Sequence, residues 1–214
     1  MAAYRQMADS EAAAWNVQGS AAARAALGPL CEAALADLAV SPNAARAVLR
    51  DARALHARIT GPLVPPGVEG IAGVWRGTPG SEIERVEHAV FNPRAQPGLR
   101  RRDACLPADQ VGAAMAALGV SATDAWDAGP QGGQTDFATL ATFAQRFFAA
   151  HPFVDGNGHV ARVLLQVLGA RLGLAPQPGW RLHPRPWDHH FSVCVQWHDR
   201  FPDLLACHMR RWFG

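Results

Sequence analysis

The run from His151 to Arg162, His-Pro-Phe-Val-Asp-Gly-Asn-Gly-His-Val-Ala-Arg, brings a histidine, a carboxylate, a glycine-flanked asparagine and an arginine into one short stretch. Each residue alone fits an ordinary turn or helix end. Together they make a chemical set. His151 can act as a general base near neutral pH. Asp155 offers hard oxygen ligands that suit Mg²⁺ held together with phosphates. Gly156, Asn157 and Gly158 offer backbone N–H donors at the start of a helix, a ready anion site. Arg162 lies one turn further on and can fork onto a second phosphate. The set asks for a polyphosphate donor, Mg²⁺ and a nucleophile deprotonated by His151.

Two helices must position this run. Before it, Phe137, Leu140, Phe143, Ala144, Phe147 and Phe148 recur at helical spacing, with Thr135 or Asp136 as the expected N-cap. After it, Val160, Val163, Leu164, Val167, Leu168 and Leu172 give the same period. The Asp155–Gly158 segment between them tolerates left-handed backbone and close ligand approach. The reading is helix, tight turn, buried helix.

The run resembles the signature of the Fic (Fic/Doc) family, His-x-Phe-x-(Asp/Glu)-Gly-Asn-Gly-Arg-x-x-Arg. It matches at His151, Phe153, Asp155, Gly156, Asn157, Gly158 and Arg162, while His159 stands where the first arginine belongs. The resemblance implies an all-α fold with a small β-hairpin flap. It also implies transfer of a nucleoside monophosphate, most often AMP from ATP, to a Ser, Thr or Tyr hydroxyl of a target protein. Some members transfer UMP, phosphocholine or a phosphate. By the resemblance His151 is the base, Asp155 holds Mg²⁺, and the Gly-Asn-Gly turn is the anion hole. Arg162 binds the distal phosphate, and Phe153 anchors the loop in the core.

His159 departs from that pattern. Histidine is shorter than arginine and largely neutral at pH 7. Losing one charge-assisted hydrogen bond costs about 1.5–3 kcal/mol of donor binding. Three readings stay open: a weak adenylyltransferase, a transferase using another donor or phosphate pose (UTP or CDP-choline), and a catalytically impaired module that binds a nucleotide or a partner. A His/Asp metal hydrolase is disfavoured by the glycines that shape an anion hole.

Two further stretches extend the resemblance. Ile71-Ala-Gly-Val-Trp-Arg76 resembles the Ala-Gly-x-x-Arg segment that precedes the family's flap. The hairpin is then expected over about 71–91, with a turn at Thr78–Ser81. Glu82, Ile83, Glu84, Arg85 and Val86 would hold a target segment by strand addition. Many members also carry an inhibitory (Ser/Thr)-x-x-x-Glu-(Gly/Asn) helix. Here only Thr78 has a glutamate four residues on, Glu82, and Ile83 follows it. Glu69-Gly70 has the right ending, but Pro65 stands in place of Ser or Thr, and Pro65-Pro66-Gly67 breaks a helix. The expectation is that this brake is missing and that a separate antitoxin-like protein supplies it, or that His159 limits activity.

Composition excludes several classes. The net charge is +2, and all 20 basic residues are arginine. Such a balance carries no nucleic-acid footprint. The lack of lysine excludes a P-loop lysine and Schiff-base chemistry. It fits a GC-rich bacterial genome, with avoidance of lysine tagging by a host as the sharper alternative. Cys31, Cys105, Cys194 and Cys207 are scattered, so free thiols in a reducing cytoplasm are expected. No stretch is apolar enough to span a membrane, and Met1–Ser10 lacks a signal-peptide core. The expected location is the bacterial cytoplasm, with leaderless export into a host cell left open. Toxin, injected effector and housekeeping modifier remain alternatives.

Along the chain, residues 1–60 read as a helical region packed on a Fic-type domain at 61–214. Helices are expected over about 9–16, 20–39, 43–58 and 108–118, with a glycine-rich loop at 119–134. Gly173–Pro186 reads as irregular, followed by helix to Phe213 with a break near Pro202. Arg94, Arg100, Arg101 and Arg102 form a basic loop. His183, Asp188, His189, His190, His198 and Asp199 are enriched in ligand types but lack the one-face spacing of a metal site.

Overall fold

The structure, a computed structural model, describes residues 15–91, 102–186, 191, 194, 195 and 202–214. The expected all-α architecture is what it shows. Helix α1 spans Ala21–Ala39, α2 Pro42–Arg50, α3 Arg53–Thr60, α4 Ala108–Ala128, α5 Gln134–Ala150, α6 Asn157–Arg171 and α7 Pro202–Trp212. The expected helix at 9–16 lies mostly outside the described residues, and residues 15 and 16 are not helical.

Local chemistry explains most boundaries. Ser20 accepts a hydrogen bond from Ala23 N at 3.0 Å and starts α1. Ser41 does the same for α2, with Pro42 at its first position. The single helix expected over 43–58 is two. Asp51 is extended, and its carboxylate accepts the N–H of Arg53 at 3.0 Å, which ends one helix and opens the next.

Helix α4 corrects a second boundary. It continues ten residues past the expected stop, through Gly119 to Ala128. Gly119 is a crossing point rather than a terminus: a Cβ there would lie 2.2 Å from the Arg50 carbonyl oxygen. Its absence lets α4 pass close to the end of α2. Val111, Met115, Leu118 and Ala122 continue the buried stripe across it.

Helix α6 is the centre of the fold. It is buried along almost its whole length, from Asn157 through Val160–Leu165 to Gly169. Helices α1, α2, α3, α4 and α5 all contact it. A helix buried on nearly every side needs such a sheath, and its polar Asn157, His159 and Arg162 find hydrogen-bond partners within it. Leu27, Cys31, Ala34 and Leu38 of α1 share one core with Leu140, Phe143 and Phe147 of α5, and α7 packs on α5.

The strand pair is displaced from its expected place. Residues 71–86 form successive turns, not strands. The Thr78–Ser81 turn does form, with Ser81 N donating to Thr78 O at 3.2 Å. Ile83 and Val86 are spaced by three and are buried beside Val68, Ile71 and Val154, so turn packing overrides alternation. Glu82, Glu84 and Arg85 are exposed on the same turns. The antiparallel ladder is instead β1 (Ala89–Phe91) with β2 (Arg102–Ala104), in register Ala89 with Ala104. Arg94, Arg100 and Arg101 lie outside the described residues.

Candidate active site

His151 terminates α5 in a left-handed conformation, φ 45° and ψ 62°, rare for a residue with a side chain. Arg76 over-determines it. This arginine is fully buried. Its Nε donates to His151 O at 2.8 Å, and its terminal nitrogens donate to Ala150 O at 2.6 Å and to Leu106 O. Its backbone N donates to Pro152 O at 2.9 Å. The guanidinium thus caps the C-terminus of α5, where cations are favoured and carbonyls otherwise lack donors. Glu87, 3.4 Å from the guanidinium, partly balances its charge.

Beyond His151 the loop is locked by side-chain-to-backbone bonds. Phe153 is fully buried and stacks on His56, ring centroids 3.9 Å apart and planes 8° from parallel. Gly73 N donates to His56 Nδ1 at 2.8 Å. The His56 proton therefore sits on Nε2, which donates to Asp155 O at 3.0 Å. The Asn157 side chain accepts from Phe153 N at 3.0 Å and donates to Phe153 O at 2.8 Å. Gly156 takes φ 79°, and a Cβ there would lie 2.9 Å from Thr60 Cγ2. Only glycine fits that turn.

The turn leads into α6, whose first residue Asn157 is buried and whose second, Gly158, is half-buried. His159 N and Val160 N both bond to Gly156 O. The N–H groups of Asn157 and Gly158 have no partner among the described residues. Gly156 N is different: it donates to Asp155 Oδ1 at 2.7 Å. The unpaired N–H groups at this helix start are therefore two rather than three. Arg162 reaches back along the helix, and a Cβ on Gly158 would lie 3.2 Å from its NH1. Its Nε donates to Leu182 O at 2.5 Å. Burial lowers the Arg162 pKa to about 10, still a cation at neutral pH.

Asp155 accepts a second bond, from Val17 N at 2.8 Å. The N-terminal segment thus lies directly against the motif acid, which sequence spacing gave no hint of. Burial raises the Asp155 pKa, partly offset by its two backbone donors. No group of three or more His, Cys, Asp or Glu converges as a metal site among the described residues. A lone carboxylate still fits a hard cation that also takes phosphate oxygens, since each oxygen keeps a free lone pair.

His159 does not face the helix N-terminus alone. Its Nε2 lies 3.1 Å from His183 Nδ1, and the rings stack with centroids 5.3 Å apart. Burial, then the charge of Arg162, lowers its pKa to about 3. His151 is also held neutral: burial, then the charges of His88 and Arg76, lowers it to about 3. His88 meets His151 edge to face at 4.8 Å. His88 Nε2 and His151 Nδ1 are buried without a hydrogen-bond partner among the described residues. No local spacing linked His56 or His88 to the motif. Asp188, His189, His190, His198 and Asp199 lie outside the described residues.

The Fic/DOC family model matches residues 47–168, more than half of the chain, and the chain belongs to that family of transferases. Its fold is similar to the N-terminal Fic domain of a cell filamentation protein, a VirB-translocated Bep effector, from Bartonella quintana. That likeness has a TM-score of 0.56 at 16% identity, over 88% of this chain and 82% of that one. None of the curated proteins matches. No helix among the described residues is long and apolar enough to cross a membrane.

Proposed function

We propose that this chain transfers a nucleoside monophosphate, AMP from ATP first among the candidates, to a hydroxyl side chain of a target protein. One observation carries the reading: a neutral, rigidly held imidazole, an open helix N-terminus and a buried arginine all belong to one locked turn. His151 takes the proton of the target hydroxyl. The hydroxyl oxygen forms its bond to the α-phosphorus as the bond to pyrophosphate breaks. The pair of N–H groups of Asn157 and Gly158 receives phosphate oxygens, and NH1 of Arg162 lies where it can balance the leaving charge. Burial keeps His151 unprotonated across the neutral range, and the approach of an anionic donor raises its basicity. Asp155 would hold Mg²⁺, which neutralises phosphate charge when bound. The target is proposed to present an accessible Ser, Thr or Tyr to the face formed by Glu82, Glu84 and Arg85 and the β1–β2 pair.

A second reading is favoured by the His159–His183 pair. Because His159 is neutral and already bonded, a nucleotide-binding module with impaired transfer is the alternative. Mass spectrometry after incubation with Mg²⁺ and each of ATP, UTP, GTP, CTP and CDP-choline tests both. A mass gain with one donor, absent from His151→Ala, establishes transfer and names the donor. No gain with any donor, in the presence of candidate targets, overturns the transferase reading.

A further inference from the structure

We infer that Arg185 is a phosphate-binding residue of this site and supplies the second cation that His159 does not. The inference rests on the reading of the α6 N-terminus as a donor-phosphate pocket. It starts from how the segment after Leu182 is attached. Leu182 is buried, and its carbonyl accepts the Nε proton of Arg162. One residue later, His183 bonds to His159 on the first turn of α6. Behind it, α1 comes close at Gly28, where a Cβ would lie 3.8 Å from His183 Cβ. Two hydrogen bonds to side chains of one helix turn therefore fix the register of residues 182–183 against the pocket.

Arg185 follows two residues on, and it is exposed. It forms no ion pair among the described residues. Its charge is near enough to Arg162 to add to the lowering of that pKa by burial, against an opposing influence of Cys31. Arg185 thus follows by two residues a segment bonded to both Arg162 and His159, on the helix that carries the two N–H donors, and no carboxylate is paired to it among the described residues. Like charges assembled this way raise a positive potential that a di- or triphosphate relieves.

The same arrangement gives His159 a role other than phosphate binding. With its pKa at about 3 it is neutral, and its ring nitrogen faces His183. The pair acts as a tether that brings Arg185 to the pocket. The charge missing from position 159 is thereby returned from position 185.

Calorimetric titration of the full chain with Mg²⁺·ATP, inorganic pyrophosphate and AMP tests this. Arg185→Gln is expected to weaken ATP and pyrophosphate about tenfold or more while leaving AMP unchanged, and Arg185→Glu to weaken them further. Because Arg185 is exposed, both variants should keep the wild-type unfolding temperature. Installing His159→Arg in the Arg185→Gln background is expected to restore most of the loss. Unchanged ATP and pyrophosphate affinity in Arg185→Gln and Arg185→Glu overturns the inference, as does an equal fall for AMP. If the wild-type chain binds neither ATP nor pyrophosphate, the donor pocket itself is refuted, an outcome distinct from failure of Arg185 alone.

Discussion

Arg76 Nε donates to the carbonyl of His151 at 2.8 Å, so the proposed base takes its backbone geometry from a residue far away in the chain. The same guanidinium holds Ala150 O and Leu106 O. Removing it strands several buried carbonyls at once. Arg76→Met should therefore cost about 2–4 kcal/mol of stability, measured by urea unfolding. It should also raise the His151 pKa, because one of the charges that lowers it is gone. Histidine NMR titration reads that shift, and an unmoved His151 would remove Arg76 from its positioning role.

The buried histidines make stability depend on pH. His56 is lowered to about 4, and His151 and His159 to about 3. Their unfolded counterparts titrate near the ordinary value of about 6.5. Between those limits the unfolded chain binds more protons, so stability falls as pH falls. Each histidine contributes a slope of about 1.4 kcal/mol per pH unit within its window. Urea unfolding at pH 7.5, 6 and 5 should show a steep loss below pH 6. A flat profile from 7 to 5 would refute the neutral assignment.

Val17 and Asp155 are joined across the site by one backbone hydrogen bond. Replacing the acid should release that amide. In Asp155→Ala, hydrogen exchange at Val17 should quicken about fivefold or more, as loss of one hydrogen bond of about 1 kcal/mol implies. Exchange at Leu164 in the centre of α6 should stay as slow as before. Unchanged exchange at Val17 would mean that the N-terminal segment is held by other contacts.

Gly119 tests the packing of α4 on α2. A Cβ at that position meets the Arg50 carbonyl at 2.2 Å, which neither backbone can yield without shifting. Gly119→Ala should destabilise the chain by about 1–3 kcal/mol. Nucleotide binding in the folded fraction should be unaffected, since neither Gly119 nor Arg50 contributes a group to the motif turn. Thermal unfolding and calorimetry on the same sample separate the two effects.

What was legible in the sequence was local. The period of Leu140, Phe143, Ala144 and Phe147 and that of Val160, Val163, Leu164 and Val167 are properties of neighbouring residues. So are the Ser41-Pro42 start and the glycine at position 156, which a left-handed turn requires. These placed the two motif helices and the turn between them correctly. Where sequence reading erred, a distant contact had intervened. Gly119 read as a stop, because nothing nearby reveals that a carbonyl from another helix would fill its Cβ position. Ile83 and Val86 read as strand, because the cluster that buries them comes from Val68, Ile71 and Val154.

The sequence by itself determined which groups are available: two motif imidazoles, one motif carboxylate, an open helix start and an arginine one turn later. Covalent order suffices for that, since helix and turn propensities act over a few residues. Tertiary structure alone decided how those groups are poised. It set Arg76 under His151, His56 beneath Phe153, Val17 on Asp155 and His183 beside His159. Each of these contacts joins residues well separated in the chain. Each depends on burial, which shifts a pKa or orients a ring only after the helices have packed.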